Sequence, residues 1–331
     1  MPIATPGHRL RALLDNPPAP DKTVMMPGAF NALCAKAIAG AGFPAAYISG
    51  AATSVSAGVP DVGILTLDHF IRTIREAADA SGLPILADAD TGFGESEMVR
   101  RAVIEYSRAG AAGLHIEDQV FPKRCGHLDG KKLVPLDHAV EKVRAAVEAA
   151  RDVDASGIGN RESGIGSKAS HPNPESRFPT PVPPGFIICA RTDARGVEGF
   201  DAAVSRAKAY LEAGADMIFP EGLATEQEFA DFASKLRHSV TPSLRHYLLA
   251  NMTEFGKTPI IPAQKFGQMG YHCVIYPVSM LRVAMGAVTR ALATLKREGS
   301  VQPLLAEMQT REQLYKTIGY TPGVEWEFPV R

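Results

Sequence analysis

A (β/α)8 barrel is the fold class this sequence predicts, and three observations predict it. Eight short apolar runs recur along the chain: TVMMPG, AAYISG, LPILADAD, GLHIED, FIICARTD, MIFPEG, RHYLLAN and CVIYP. Near-continuous apolar runs mark parallel strands that helices cover on both faces. Between consecutive runs lies enough chain for a helix, the alternation that builds a parallel sheet closed by crossovers. The length of 331 residues suits one barrel with insertions, since such barrels typically take ~250. The whole chain, 1–331, is therefore read as a single barrel domain.

The elements follow in order. HRLRALL is a short amphipathic N-terminal helix. Strand 1 is expected at about 23–27, a helix at about 30–42 and strand 2 at about 45–50. AATSVSAGVPDVGILT then reads as a loop, and Thr66 or Asp68 as the cap of a helix running to Ser81. Strand 3 ends in DADTGFG, whose glycines let the backbone turn tightly beside a ligand. A helix at about 95–109 leads to strand 4, followed by the long loop GLHIEDQVFPKRCGHLDGKKLVP and a helix at about 136–151. The texture then changes. Asp152–Gly185 is rich in Gly, Ser and Pro without apolar periodicity. It stands where ~2–6 residues normally suffice, and it reads as a surface insertion on the face away from the chemistry. Strands resume near 186–193, 216–221, 246–251 and 273–277, and residues 279–318 form a C-terminal helical region. Its small-residue face, Ala284, Ala287 and Ala291, suits close packing on its own barrel or on another subunit.

Bulk composition excludes several classes. A formal net charge of -1 supplies no basic surface for nucleic acid or an anionic membrane. No apolar run approaches the ~18 residues a membrane span needs. The N-terminus has no long apolar core, so a secretory signal is not expected. The four cysteines, Cys34, Cys125, Cys189 and Cys273, form no C-x-x-C pair. That points to a reducing compartment, the cytoplasm, with the mitochondrial matrix as the alternative. Cys34, Cys189 and Cys273 read as small core residues. Cys125 lies in the polar loop PKRCGHLDG beside Lys123, Arg124 and His127, a setting that lowers a thiol pKa.

In a barrel of this kind, chemistry sits at the C-terminal ends of the strands. The polar residues there are Ser49, Asp88, Asp90, Glu117, Asp118, Arg191, Asp193, Glu221 and Asn251. Any one of them also suits a turn or a helix cap. Asp88 and Asp90 leave strand 3 as D-A-D and share a face. With Glu117 and Asp61 they make four converging carboxylates. Two readings are open: a hard divalent cation bound by oxygen, or an ion-pair network with Lys123, Arg124 and Arg191. No His or Cys cluster suggests zinc. Arg191 and Arg282 are suited to a substrate bearing several carboxylates, although a salt bridge from Arg191 to Asp193 or Glu221 is the blander role.

These residues carry a resemblance. YISG, GVPDVG, DADTGFG, HIEDQVFPKRCGH, ARTDA, FPEG, NMTEFGKTP and MQTREQLY, spread from about Gly28 to Tyr320, resemble the isocitrate lyase / phosphoenolpyruvate mutase superfamily, and within it the 2-methylisocitrate lyases. The resemblance implies a barrel whose eighth helix is exchanged between subunits, giving a homotetramer built as a dimer of helix-swapped dimers. It implies Mg2+ or Mn2+ held directly by Asp88, with Asp61, Asp90 and Glu117 around it. It implies substrate contacts at Ser49, Gly50, Gly126, Arg191, Glu221, Asn251, Thr253, Arg282 and Arg311, and a catalytic Cys125 with Gly126 and His127 on the same loop. The lyases often read SGG where this chain has Ser49-Gly50-Ala51, so the methyl of Ala51 sits where a substrate carboxylate would be bound.

The implied reaction cleaves 2-methylisocitrate to pyruvate and succinate by retro-aldol-type chemistry. The metal serves as Lewis acid and Cys125 as the acid that protonates the departing carbanion. Glu117, a metal-bound water or a tyrosine is left as the acceptor of the hydroxyl proton. Alternatives within the superfamily are an oxaloacetate hydrolase, a dimethylmalate-type lyase, and a phosphonopyruvate- or carboxyphosphonoenolpyruvate-mutase-type enzyme. A non-catalytic binding protein is the alternative of another class. KRCGH speaks against the mutase, because phosphoryl transfer has no evident need of a cysteine acid. The complete carboxylate set speaks against the binding protein.

Overall fold

The computed structural model describes residues 4–17, 23–124, 126, 130–156, 185–239 and 246–326. Eight parallel strands follow one another around a barrel: β1 (Val24–Pro27), β2 (Ala46–Ile48), β3 (Ile85–Asp88), β4 (Gly113–Glu117), β5 (Ile187–Thr192), β6 (Met217–Pro220), β7 (Tyr247–Asn251) and β8 (Cys273–Tyr276). Each pairs with the next, β8 returns to β1, and a bridge between Gly28 and Tyr47 closes β1 on β2. The expected barrel is the one observed.

The helices between them are α2 (Ala32–Gly40), α3 (Gly50–Ser56), α4 (Leu67–Ser81), α5 (Ser96–Arg108), α6 (Leu136–Ser156), α7 (Phe200–Glu212), α8 (Glu226–Ser239) and α9 (Ala263–Met269). Before them comes α1 (Pro6–Asp15), and after them α10 (Ser279–Glu298) and α11 (Arg311–Ile318). Local chemistry explains several ends. Thr5 caps α1, with Pro6 in its first turn, and the Asn31 side chain caps α2 by accepting from Cys34 N at 2.8 Å. Gly82, at φ 73°, ends α4 in a left-handed turn that a Cβ would strain.

Three expectations are corrected. The segment after β2 is not all loop: Ser49 caps α3 by accepting from Ala52 N at 3.3 Å. Thr66 stands at the N-cap of α4 but makes no side-chain cap bond, and Asp68 lies inside the helix. Helix α6 continues through Ser156, because Val153 still has a buried site to fill. The first residues of the segment expected as an insertion, 152–156, are thus helical, and residues 157–184 lie outside the described residues.

Strand parity divides the core in two. One set of side chains points outward to the helices: Ile48, Ala87, Leu114, Ile116, Ile188, Ala190, Ile218, Leu248, Ala250 and Val274. The other fills the barrel: Met26, Tyr47, Leu86, Ile187, Cys189, Met217, Phe219, Leu249, Cys273 and Ile275. Leu10 and Leu14 of α1 belong to this inner set, so α1 plugs the N-terminal mouth. It is tied there by Arg11 to Asp216 at 2.8 Å and by Asp15, which accepts from the Tyr247 hydroxyl at 2.9 Å. The chemistry is thereby left to the opposite mouth. Cys189 and Cys273 are fully buried as expected, and Cys34 is partly exposed. Helix α10 buries only Ser279, Leu281 and Thr294, and α11 leans on α2.

Candidate active site

Side chains alternate along a strand, so the inward parity of the core continues at the strand ends and sorts the candidate residues. Tyr47 points inward, and so does Ser49. The same holds for Leu86 and Asp88, Ile187 and Arg191, Phe219 and Glu221, and Leu249 and Asn251. Glu117 and His115 share the inner parity of β4. Around the C-terminal mouth they leave a cavity of about 120 Å3 lined by Tyr47, Ser49, Ala51, Asp61, Asp88, Gly126, Arg191, Glu221, Asn251, Thr253 and Arg282, with an apolar wall at Phe219, Ile275, Pro277 and Val278.

The carboxylates lie at the floor. Asp88 Oδ2 accepts from Gly50 N at 2.9 Å, and its Oδ1 accepts from Asp90 N at 2.9 Å. That second bond holds Asp90 in the left-handed region, at φ 47°. Lys123 Nζ reaches Asp90 at 2.7 Å and is paired with Asp61 as well. Burial works against ionisation of Asp88, but His115, Lys123, Arg191 and the Asp90 N–H outweigh it and bring its pKa to about 2. His115 is itself held down to about 4, chiefly by burial. Near neutral pH it carries no charge, so Lys123 and Arg191 are the cations that keep Asp88 ionised. Burial and the neighbouring Asp88 push Asp90 up to about 6, and burial pushes Glu117 well above the carboxylate range against the pull of Arg191 and Lys123.

Arg191 is the main cation of the opposite wall. Its Nε and NH2 donate to the two oxygens of Asp193 at 2.9 and 3.1 Å. Its NH1 faces Glu117 at 3.2 Å and Glu221 at 3.5 Å, and the guanidinium stacks over Phe219. Asn251 Nδ2 donates to Glu221 Oε2 at 3.1 Å, while Asn251 Oδ1 is buried without a hydrogen-bond partner. At the rim, Arg282 donates to Glu254 Oε2 at 3.0 Å and reaches Thr253 Oγ1 at 3.5 Å.

Both sequence readings of the carboxylate cluster meet here. The ion-pair network is present, with Lys123 and Arg191 in it. The donor set also fits a hard divalent cation. It is made of oxygens alone, and the buried Asp90 Oδ1 and Glu117 Oε2 are each met only by a single cation, Lys123 at 2.7 Å and Arg191 at 3.2 Å. Among the described residues no three acidic or imidazole groups are spaced as a ready-made cage, because Lys123 occupies the space between them.

Other expected residues stand apart. Asp118 has the outward parity of β4, so it misses the cavity. It accepts instead from Thr192 Oγ1 at 2.7 Å, Tyr210 Oη at 2.8 Å and Asp193 N at 2.9 Å. Asp193 serves Arg191 rather than lining the cavity. Arg311 is exposed on α11, outside the cavity of its own chain, because α11 follows α10 away from the barrel mouth. Cys125 and His127 lie outside the described residues, and Gly126 between them is described. Tyr47 and His115 were not among the sequence candidates, yet Tyr47 Oη and His115 Nε2 hydrogen-bond at 2.7 Å beneath Asp88. The signal was available: both share the inner parity of Ser49 and Glu117.

Comparison with known proteins agrees with this geometry. The family model described as phosphoenolpyruvate phosphomutase matches residues 11–157 and 180–296. A probable 2-methylisocitrate lyase 1 of Corynebacterium glutamicum is 46% identical over 89% of this chain and 84% of its own. The 2-methylisocitrate lyase of Bacillus subtilis is 42% identical over 94% and 89%. Among solved structures, 2,3-dimethylmalate lyase superposes with a TM-score of 0.79 at 34% identity, covering 96% of this chain and 93% of that one.

Proposed function

This chain belongs to the phosphoenolpyruvate mutase/isocitrate lyase superfamily, and from that premise we infer that it is a carbon–carbon lyase that cleaves 2-methylisocitrate to pyruvate and succinate. The observation that carries the reading is the cavity of about 120 Å3, in which a carboxylate floor faces Arg191 and Asn251 across a space fit for a small polycarboxylate. The relatives named 2-methylisocitrate lyase select the substrate from the superfamily's repertoire.

Asp88, with Asp61, Asp90 and Glu117, would hold Mg2+ or Mn2+. Such an ion, when bound, acts as Lewis acid toward the carboxylate and hydroxyl of the fragment that becomes pyruvate. The chain's own groups supply the rest. Arg191, Asn251 and the Ser49–Ala51 backbone, with Gly126, Glu221, Thr253 and Arg282, orient the carboxylates. Transfer of the hydroxyl proton to its acceptor, for which Glu117, a water and a tyrosine are the candidates, sends the O–H electron pair into a new carbonyl as the C–C bond breaks. The bond pair departs on the succinate fragment, delocalised into its carboxylate, and a proton from the Cys125 thiol converts it to succinate. Arg191 stabilises the charge that develops. His127 lies on the same loop.

A subunit arrangement accompanies this reading. Helix α10 leaves Val283 70% exposed and Leu292 61% exposed, and covers little of its own barrel. We read it as exchanged with a second copy, in dimers that pair into a homotetramer, with Arg311 brought to the site by that exchange. Among the described residues no helix is long and apolar enough to cross a membrane.

The test is a substrate panel. Pure protein with Mg2+ is incubated with 2-methylisocitrate, isocitrate, 2,3-dimethylmalate, oxaloacetate and phosphonopyruvate, and the products are identified by NMR. Pyruvate and succinate from 2-methylisocitrate, at the highest kcat/KM of the panel, is the expected result. Preferred release of oxalate from oxaloacetate, or of propionate from 2,3-dimethylmalate, would replace the assignment.

A further inference from the structure

The two described residues that flank Cys125 are each fastened to the wall of the cavity. On the N-terminal side, Gln119 Oε1 accepts from Arg124 N at 2.9 Å, and Gln119 Nε2 donates to Arg124 O at 2.8 Å. The same Nε2 donates to Glu117 Oε1 at 3.0 Å. On the C-terminal side, Lys131 Nζ donates to Gly126 O and, at 2.7 Å, to Asp193 Oδ1. Asp193 in turn grips Arg191 through both of its oxygens. The Lys131 and Asp193 side chains are almost fully buried, at 5% and 0% exposure. A buried ammonium shared between a carboxylate and a backbone carbonyl is a costly arrangement unless every bond is made. Lys131 does not line the candidate cavity; beyond Gly126 it borders a separate cavity of about 220 Å3 with Arg195 and Lys257.

We propose that Lys131 is a positioning residue for the lyase reaction, with Gln119 its counterpart: together they fix the backbone on both sides of position 125 against Arg191 and Glu117. Lys131 acts in two ways. It anchors the Gly126 carbonyl, and it shares the charge of Asp193 so that Arg191 keeps its NH1 toward Glu117 and Glu221 instead of being drawn wholly to Asp193. The role rests on the lyase reading for its kinetic consequence, but the tether itself does not.

Two measurements separate these. Lys131→Met removes the ammonium and keeps most of the volume; Lys131→Arg restores a buried donor. With 2-methylisocitrate, Lys131→Met is expected to lose ~10–100-fold in kcat, the scale of a misplaced catalytic group, with KM changed less than ~3-fold. Lys131→Arg should recover part of that loss. Independently of any substrate, trypsin should cut Lys131→Met after Arg124 at least ~10-fold faster than wild type, with an unchanged rate of cutting elsewhere. If wild type does not turn over 2-methylisocitrate, the functional reading fails while the trypsin measurement still decides the tether. An unchanged cutting rate after Arg124, or a Lys131→Met enzyme with wild-type kcat, overturns the proposal. A general fall in Tm with faster cutting at every site would reduce Lys131 to ordinary structure and overturn it equally.

Discussion

Gly126 offers the sharpest perturbation of the site. It does not occupy the left-handed region, so alanine is permitted by the backbone and only space decides. A Cβ added there would stand 2.5 Å from Glu221 Cγ and 2.6 Å from Arg191 NH2. Ordinary contact begins near 3.4 Å, so something must retreat by about 1 Å. Neither neighbour can do so freely. Arg191 is held by Asp193, and the Glu221 carboxylate is held by Asn251. The segment beside Cys125 therefore has to lift, or Arg191 has to turn from its aim. A displacement of ~1 Å at a catalytic constellation costs ~100-fold in rate, equivalent to ~2.7 kcal/mol of barrier. Gly126→Ala should accordingly lower kcat on 2-methylisocitrate by about two orders of magnitude while Tm moves little. Gly40→Ala, where a Cβ meets nothing within 4 Å, is the control and should be silent. Steady-state kinetics and a thermal melt of the three proteins suffice. A Gly126→Ala enzyme with kcat within threefold of wild type would refute the reasoning, because it would show that the close approach of Gly126 to Arg191 and Glu221 is not the working geometry.

Exhaustive EDTA treatment should abolish turnover, Mg2+ or Mn2+ should restore it, and Asp88→Ala should bind neither ion by calorimetry; full activity in EDTA contradicts this. Cys125→Ser should keep KM and lose ~100-fold or more in kcat, as loss of a general acid does, with near-wild-type kcat counting against the thiol. Replacing 157–184 by a short glycine turn should leave kcat within a few-fold. The ends of that segment already lie together, since Asp154 accepts from the backbone N–H groups of Gly185 and Phe186. A ~100-fold loss at unchanged Tm would assign the segment to a site. His272 is held down to about 4 from 6.5, chiefly by burial. Below pH 6.5 the unfolded chain binds the proton that the fold refuses, so this contribution to stability falls as the pH drops from about 6.5 toward 4. By linkage, about 2 kcal/mol is lost between pH 7 and 4.5. Urea melts of His272→Asn, whose side chain can still accept from Leu248 N, should show that much less acid sensitivity; identical pH dependence in both proteins would remove His272 from the account.

What the sequence made legible was the periodicity, and what it hid was mostly a matter of direction. Apolar runs separated by helix-length stretches reveal a parallel barrel, because burial on both strand faces leaves that mark. Asp88, Glu117, Arg191, Glu221 and Asn251 stand at strand ends and come together as a strand-end reading expects. Asp118 is adjacent to Glu117 in sequence but turns to the opposite face, where Thr192 and Tyr210 bind it. Counting parity from the buried Leu114 and Ile116 would have separated the two. The same count would have found Tyr47 and His115, which hide inside apolar runs. Helix α3 was obscured because GAATSVS has no amphipathic stripe; what forms it is the Ser49 cap and the Gly50 N–H bonded to Asp88. Arg311 could not be placed by pattern at all, since the path of the chain after α10 depends on what that helix packs against.

The conflict between the metal and ion-pair readings of the carboxylates dissolves once the charges are counted together. Asp61, Asp88, Asp90, Glu117, Asp193 and Glu221 stand within one mouth with Lys123, Lys131 and Arg191. If all were ionised the set would be three charges negative, in surroundings where burial works against the charge of Asp88, Asp90, Glu117 and Asp193. The strain shows where relief is weakest: Asp90 and Glu117 are pushed up although Lys123 and Arg191 stand against them. Asp193, supplied with both Arg191 and Lys131, is instead held below its ordinary value although burial opposes it. Two halves of one site are thus electrostatically unlike. The half around Asp193 is closed by its own cations and can act as a rigid support for Arg191. In the half around Asp88 and Asp90, Lys123 and Arg191 hold Asp88 ionised but Asp90 is still pushed up, and a divalent cation is the ligand whose charge and oxygen preference would complete it. Lys123 is then no rival of the metal. It is the buried cation that holds Asp61 and Asp90 together at the floor of the site.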